Sequence, residues 1–204
     1  MCAHRWSWMI AVLGVTGLMV AAMPASAEST TFDLTTPTVN QSGSIVIDSD
    51  LTVSATTPAA AALEVHQDAD GVGVVSGRRD SVEVDGDGTS EILWLAFSGQ
   101  AILESLTFTL TDDPKDGSIA VLLDSAGDVL AVLNVTDSPV VDLASVLGEG
   151  ERSGDLFGLT TGSEDSGYKL SSVTVMMPAP AAVWAGLGLL SAIGVTRRLR
   201  RRAA

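Results

Sequence analysis

The chain of 204 residues has one cysteine, one tyrosine and two histidines, and each scarcity excludes chemistry. Cys2 precedes the first apolar run. A chain trimmed after that run therefore has no disulfide, thiolate nucleophile or cysteine metal ligand, and Cys2 is misplaced for a lipoprotein cysteine. His66 is then the sole histidine available to a Ser-His-Asp arrangement. Its expected place is at the end of a strand. No Gly-rich phosphate loop or His-based metal motif occurs, since "DGDG" lacks the lysine and the strand-to-helix context. Between residues 28 and 176 the only Trp and Tyr are Trp94 and Tyr168, which is little aromatic surface for stacking a sugar ring. Trp94 lies mid-strand, where burial is its expected use.

Positive charge is scarce too, and unevenly placed. Five of the 11 basic residues, Arg197, Arg198, Arg200, Arg201 and Arg202, end the chain, and Arg5 begins it. The stretch between holds Arg78, Arg79, Lys115, Arg152 and Lys169 against all 25 acidic residues, a net charge of −20. Such a surface repels nucleic acid and anionic membranes, so no nucleic-acid partner is expected. The terminal arginines read as a topology signal.

At the N-terminus, His4 and Arg5 precede an apolar run over 8–20, and Ala25 and Ala27 put small residues where a signal peptidase inspects the chain. Residues 1–27 are predicted to be a signal peptide cleaved after Ala27. At the other end, 179–196 are 18 residues without a charge. A helix of that length rises about 27 Å, barely enough for a hydrocarbon core of about 30 Å. Pro180 suits its first turn, and the arginines that follow hold the tail on the cytoplasmic side. The chain thus divides into a signal peptide, 1–27, an exported domain, 28–176, and a terminal segment, 177–204.

That terminal segment places Met177, Pro178, Ala179, Pro180 and Ala181 before an Ala/Gly/Leu-rich span and the arginine cluster. In that order the three parts resemble the PEP-CTERM family of bacterial sorting signals, closest to the variant written Val-Pro-Leu-Pro-Ala. Met177 and Ala179 stand where that variant has Val and Leu. The resemblance implies recognition by exosortase, cleavage near the motif and transfer of the domain to the cell surface or extracellular polysaccharide. A second stretch, "VHQDADGVGV" with "DSVEVDGDGTSEILWLAF", resembles a domain common in such proteins, in which a Gly-Val-Gly turn precedes an acidic loop and a strand opening with Glu. This implies a β-sandwich and little established chemistry.

The residues between the ends predict an all-β fold, an antiparallel sandwich or jelly roll, flanked by a signal-peptide helix and a transmembrane helix. Short Val, Leu, Ile and Thr runs are broken by Gly, Asp and Ser without helical periodicity. Leu106, Phe108 and Leu110 alternate with threonines, the mark of a strand with one buried face. Residues 119–124 and 129–135 read as a hairpin turning at Ser125, Ala126 and Gly127. Further strands are expected at 44–48, 51–55, 62–66, 81–84, 92–97 and 170–176. Residues 140–147 fit a helical turn, 56–62 a flexible join, and 148–167 a long loop or the approach to the last strand.

Asp68, Asp70, Asp85, Asp87 and Glu91 are hard oxygen ligands among glycines and are the candidates for a Ca²⁺ site outside the cell. Neither acidic turn is an EF-hand: the position that needs a bidentate Glu holds Trp94 in one register and Gly77 in the other. Against a metal stands the ordinary use of Asp and Gly in exposed turns. Asn134 and Thr136 form a glycosylation sequon with no expected use in this setting. The expectation is a non-enzymatic, exported surface or matrix protein. A calcium-dependent glycan-binding module and a polysaccharide hydrolase are the alternatives.

Overall fold

A computed structural model describes residues 27–35, 39–76, 82–85, 90–110, 119–136, 139–162 and 167–178. Residues 1–26 and 179–204, with the expected signal-peptide helix, membrane span, Pro180, Ala181 and arginine cluster, lie outside them. By its internal contacts Glu28–Met177 forms one compact unit. Among the described residues no helix is long and apolar enough to cross a membrane.

The fold is all-β. In chain order the strands are β1 (Ala27–Asp33), β2 (Val39–Ser42), β3 (Ser44–Asp48), β4 (Leu51–Thr56), β5 (Glu64–Asp68), β6 (Gly71–Val75), β7 (Val84–Asp85), β8 (Ile92–Thr109), β9 (Ile119–Leu123), β10 (Val129–Asn134), β11 (Val140–Asp142), β12 (Ser153–Thr161) and β13 (Gly167–Pro178). Hydrogen bonding links all of them, the main path running β10-β9-β12-β8-β13-β6-β5-β2. The pairs along that path are antiparallel, as are β3–β4, β4–β8, β7–β13 and β8–β11.

The organising element is β8, an 18-residue strand. Along one edge it pairs with β4 and then β13; along the other, with β12 and then β11. Its middle is irregular: residues 97–100 of β8 face residue 155 alone. Extra residues in one strand bend it and raise its twist. Ser98, Gly99 and Gln100 are exposed at that bend, while Leu93, Leu95, Leu103 and Leu106 on either side are fully buried. The core they join includes Leu51, Val53, Leu122, Leu159 and Val173. Phe97 packs between Phe32 and Phe157, with ring centroids 6.1 Å and 6.3 Å away.

The β9–β10 hairpin forms as its alternation predicts, with Asp124 Oδ1 accepting the N–H of Ala126 and of Asp128 across the turn. Five expectations need correction. The loop expected over 148–167 is interrupted by β12 at Ser153–Thr161. Its glycines read as breakers, yet a Cβ at Gly158 would lie 2.9 Å from Trp94 Cζ3, so glycine is what lets that ring lie over the neighbouring strand. The expected turn at Gly71, Val72, Gly73 and Val74 is β6. Residues 56–62 are an ordered turn closed by Thr57 N–H to Ala61 O and Leu63 N–H to Ala55 O. Of the helical turn expected at 140–147, only Leu143–Ser145 coils, as one 3₁₀ turn capped by Asp142; the residues before it are β11. The expected strand at 62–66 is shifted to Glu64–Asp68, which puts His66 mid-strand.

Candidate functional site

The polar residues drawn together most tightly are His66, Asp68 and Lys169. His66 and Asp68 alternate onto one face of β5, and their cross-strand partners on β6 are Gly73 and Gly71. A Cβ at Gly71 would lie 2.5 Å from Leu170 O, and one at Gly73 closer still to Val82 O. The two glycines therefore let β13 and the 82–83 segment approach the β6 backbone. Gly71 also has a φ of 131°, which an L side chain rarely adopts.

Lys169, beside Leu170 on β13, reaches Asp68 across this gap. Its side chain is 4% exposed, and Nζ lies 2.6 Å from Asp68 Oδ2. His66 Nε2 lies 3.1 Å from the same oxygen, and the N–H of Asp70 donates to Oδ1 at 2.9 Å. Burial pushes the Asp68 carboxyl up, but the hydrogen bonds from Lys169, the Asp70 N–H and His66, with the charge of Lys169, outweigh it and hold the group below the usual carboxylate range. The pair is an ion pair. Breaking one partner from such a pair costs far more than a surface bridge does.

A second polar group lies at the start of β13. Tyr168 is fully buried between Phe108, whose ring it meets edge to face at 5.1 Å, and the carbonyl of Thr160, which accepts its hydroxyl at 2.9 Å. Burial, with the charge of Glu91 adding to it, drives the phenol above its ordinary range. Glu91, itself buried, accepts the N–H of Asp85 at 3.3 Å.

The four calcium candidates among the described residues fall in two places, Asp68 with Asp70 and Asp85 with Glu91. Asp68 is engaged by an ammonium, which occupies the place a cation would take. Asp70 is exposed, with its backbone turned onto Asp68. Asp85 and Glu91 adjoin each other in a buried setting by Tyr168, and Asp87 lies outside the described residues. Among the described residues no group of three or more His, Cys, Asp or Glu side chains is gathered to hold a metal. Trp94 is half-buried, its indole N–H donating to Thr56 Oγ1 at 2.9 Å. Asn134 Oδ1 accepts the N–H of Thr136, closing a turn at the end of β10. Of the sorting motif, Met177 and Pro178 end β13.

Sequence reasoning missed Lys169. It is the only basic residue of "SGYKLSSVTV", placed where Tyr168 and Leu170 face one side of the strand, and a lone lysine in such a run is the one signal that could have marked it. Compared with protein-family models, with curated proteins and with solved structures, the chain matches none.

Proposed function

We propose that this is an exported, non-enzymatic protein of the cell surface or extracellular matrix, delivered by signal peptidase and exosortase. Its β unit is read as a sandwich or jelly roll, with β8 carrying the chain from one layer to the other through its bend. The observation that carries the reading is positional. The compact unit Glu28–Met177 begins one residue after the expected cleavage point and ends on the first residue of the sorting motif, so both processing signals abut a finished domain. On this reading Pro178 and Pro180 would keep the scissile stretch extended, and the uncharged span with its arginines would hold the chain until it is cut.

The non-enzymatic part rests on what the polar side chains are doing. His66, the histidine a triad would need, is buried against Asp68, and Asp68 is held by a buried lysine rather than turned toward a substrate. Extracellular polysaccharide is the partner the sorting route implies.

The test follows two tags in a host with and without exosortase. One goes into the exposed hairpin turn at 125–128, since 153–161 is a strand; the other follows Ala204. Separation of the C-terminal tag from the domain only when exosortase is present supports sorting. If both tags stay together in the membrane fraction in both hosts, the segment is a tail anchor and the proposal falls.

A further inference from the structure

We infer that Lys169 and Asp68 are the two halves of an intramolecular isopeptide bond, an amide joining Nζ of β13 to Cγ of β5 and formed by the folded chain on itself. The inference stands on the geometry of the pair and is independent of the sorting proposal.

Four features meet at one carboxyl group. The nucleophile, Lys169 Nζ, is 2.6 Å from Oδ2, its side chain 4% and that of Asp68 19% exposed, so the amine is held against the carboxyl group and away from most bulk water. The Asp70 N–H already donates to Oδ1, the oxygen that carries negative charge when Cγ becomes tetrahedral. His66 Nε2 sits 3.1 Å from Oδ2, the oxygen that must leave, and an imidazole there can pass protons in both directions. Burial supplies the drive, because amide formation turns a buried ammonium and a partly buried carboxylate into one neutral group.

The atoms balance without a co-reactant. One proton moves from the Lys169 ammonium to Oδ2, giving a neutral amine beside a neutral acid. The Nζ lone pair adds to Cγ, and the C=O electron pair moves onto Oδ1 under the Asp70 N–H. His66 gives its Nε2 proton to Oδ2 and recovers one from Nζ. The Cγ–Oδ2 bond then breaks with its electron pair, Oδ1 re-forms the carbonyl, and Oδ2 departs as water. An ammonium and a carboxylate have become one amide and one water.

The bond would tie two strands whose linked residues are 101 positions apart. In a domain with no cysteine after residue 2 it does the work of a disulfide and is indifferent to reductants.

The experiment is a peptide map of the full chain, purified folded, held at neutral pH, then denatured and digested with trypsin. The expected result is a peptide containing Asp68 joined to one containing Lys169, one water lighter than their sum, with no cleavage after Lys169 and with fragmentation placing the link at those two residues. Asp68→Asn should give the same linked product, because ammonia then leaves in place of water. His66→Gln should slow linkage by about 100-fold. Quantitative cleavage after Lys169 in the wild-type chain after prolonged incubation overturns the inference. A one-water loss that persists in Lys169→Arg also overturns it, by assigning the loss to a succinimide at Asp70 and Gly71. Should Lys169→Arg fail to fold, the wild-type map decides alone.

Discussion

Phe108 and Tyr168 meet edge to face, ring centroids 5.1 Å apart, where the end of β8 lies against the start of β13. The contact pins together the two strands that share most partners in the fold. Phe108→Ala should therefore destabilise the domain by about 3–5 kcal/mol, as large-to-small changes in a packed core do. Tyr168→Phe keeps the ring and leaves the Thr160 carbonyl without its donor, costing about 1–2 kcal/mol. Urea unfolding of both variants checks the order; equal losses would show that the hydroxyl, not the ring contact, dominates.

Tyr168 is the chain's only tyrosine, so its ionisation can be read without interference. Burial raises the phenol in the folded state, which therefore keeps a proton that the unfolded chain releases. Stability contributed this way is complete below the ordinary tyrosine range and falls as pH climbs above it. Ultraviolet titration should show tyrosinate appearing only together with unfolding. Reversible ionisation of a chain that remains folded would contradict the burial described here.

Gly73→Ala should cost about 1–3 kcal/mol, because the new Cβ meets the backbone carbonyl of Val82 rather than a side chain that could swing aside. Gly99→Ala, at the exposed bend where a Cβ meets nothing within 4 Å, is the matched control and should be near neutral. Thermal melts of the pair would show whether close backbone approach at β6 is a real constraint.

While Asp68 and Lys169 are still an ion pair, the domain should be sensitive to acid. The Asp68 carboxyl is held below its ordinary range in the folded state, so the stability it adds is present above that range and is lost as pH falls through the folded value. After the amide forms there is no carboxyl to protonate. Melting temperature measured from pH 5 downward (~2 pH units) should drop more for freshly made chain than for aged chain. Identical acid profiles at both ages would argue that no bond forms at this pair.

Much of the β texture was legible because it rests on local alternation. Leu106, Phe108 and Leu110 set against threonines, and the Asp124 to Asp128 turn between two apolar runs, encode their structures within a few residues. What escaped were strands whose local chemistry contradicts their place. β12 carries Gly154, Asp155 and Gly158, and β1, "AESTTFD", is nearly polar throughout; both are held by neighbours distant in sequence. β8 continues through Ser98, Gly99 and Gln100 because bending there lets its two halves bury separate sets of leucines. The ends of the chain were read from charge, length and short motifs. The Asp68–Lys169 pair was invisible for a different reason: it is a meeting of β5 with β13, and no pattern within either strand announces the other.

β13 is the last strand made, and β1, β6, β7 and β8 all pair with it. A chain emerging N-terminus first, from a ribosome or through a membrane pore, can build the β3–β4 and β9–β10 hairpins early, yet it cannot close until residue 178 is out. Until then β1 has no strand to join and one edge of the far half of β8 stays open, and the slow, long-range step falls at the end of synthesis. Maturation is thereby timed by length: the domain locks only when the segment that follows it has begun to arrive.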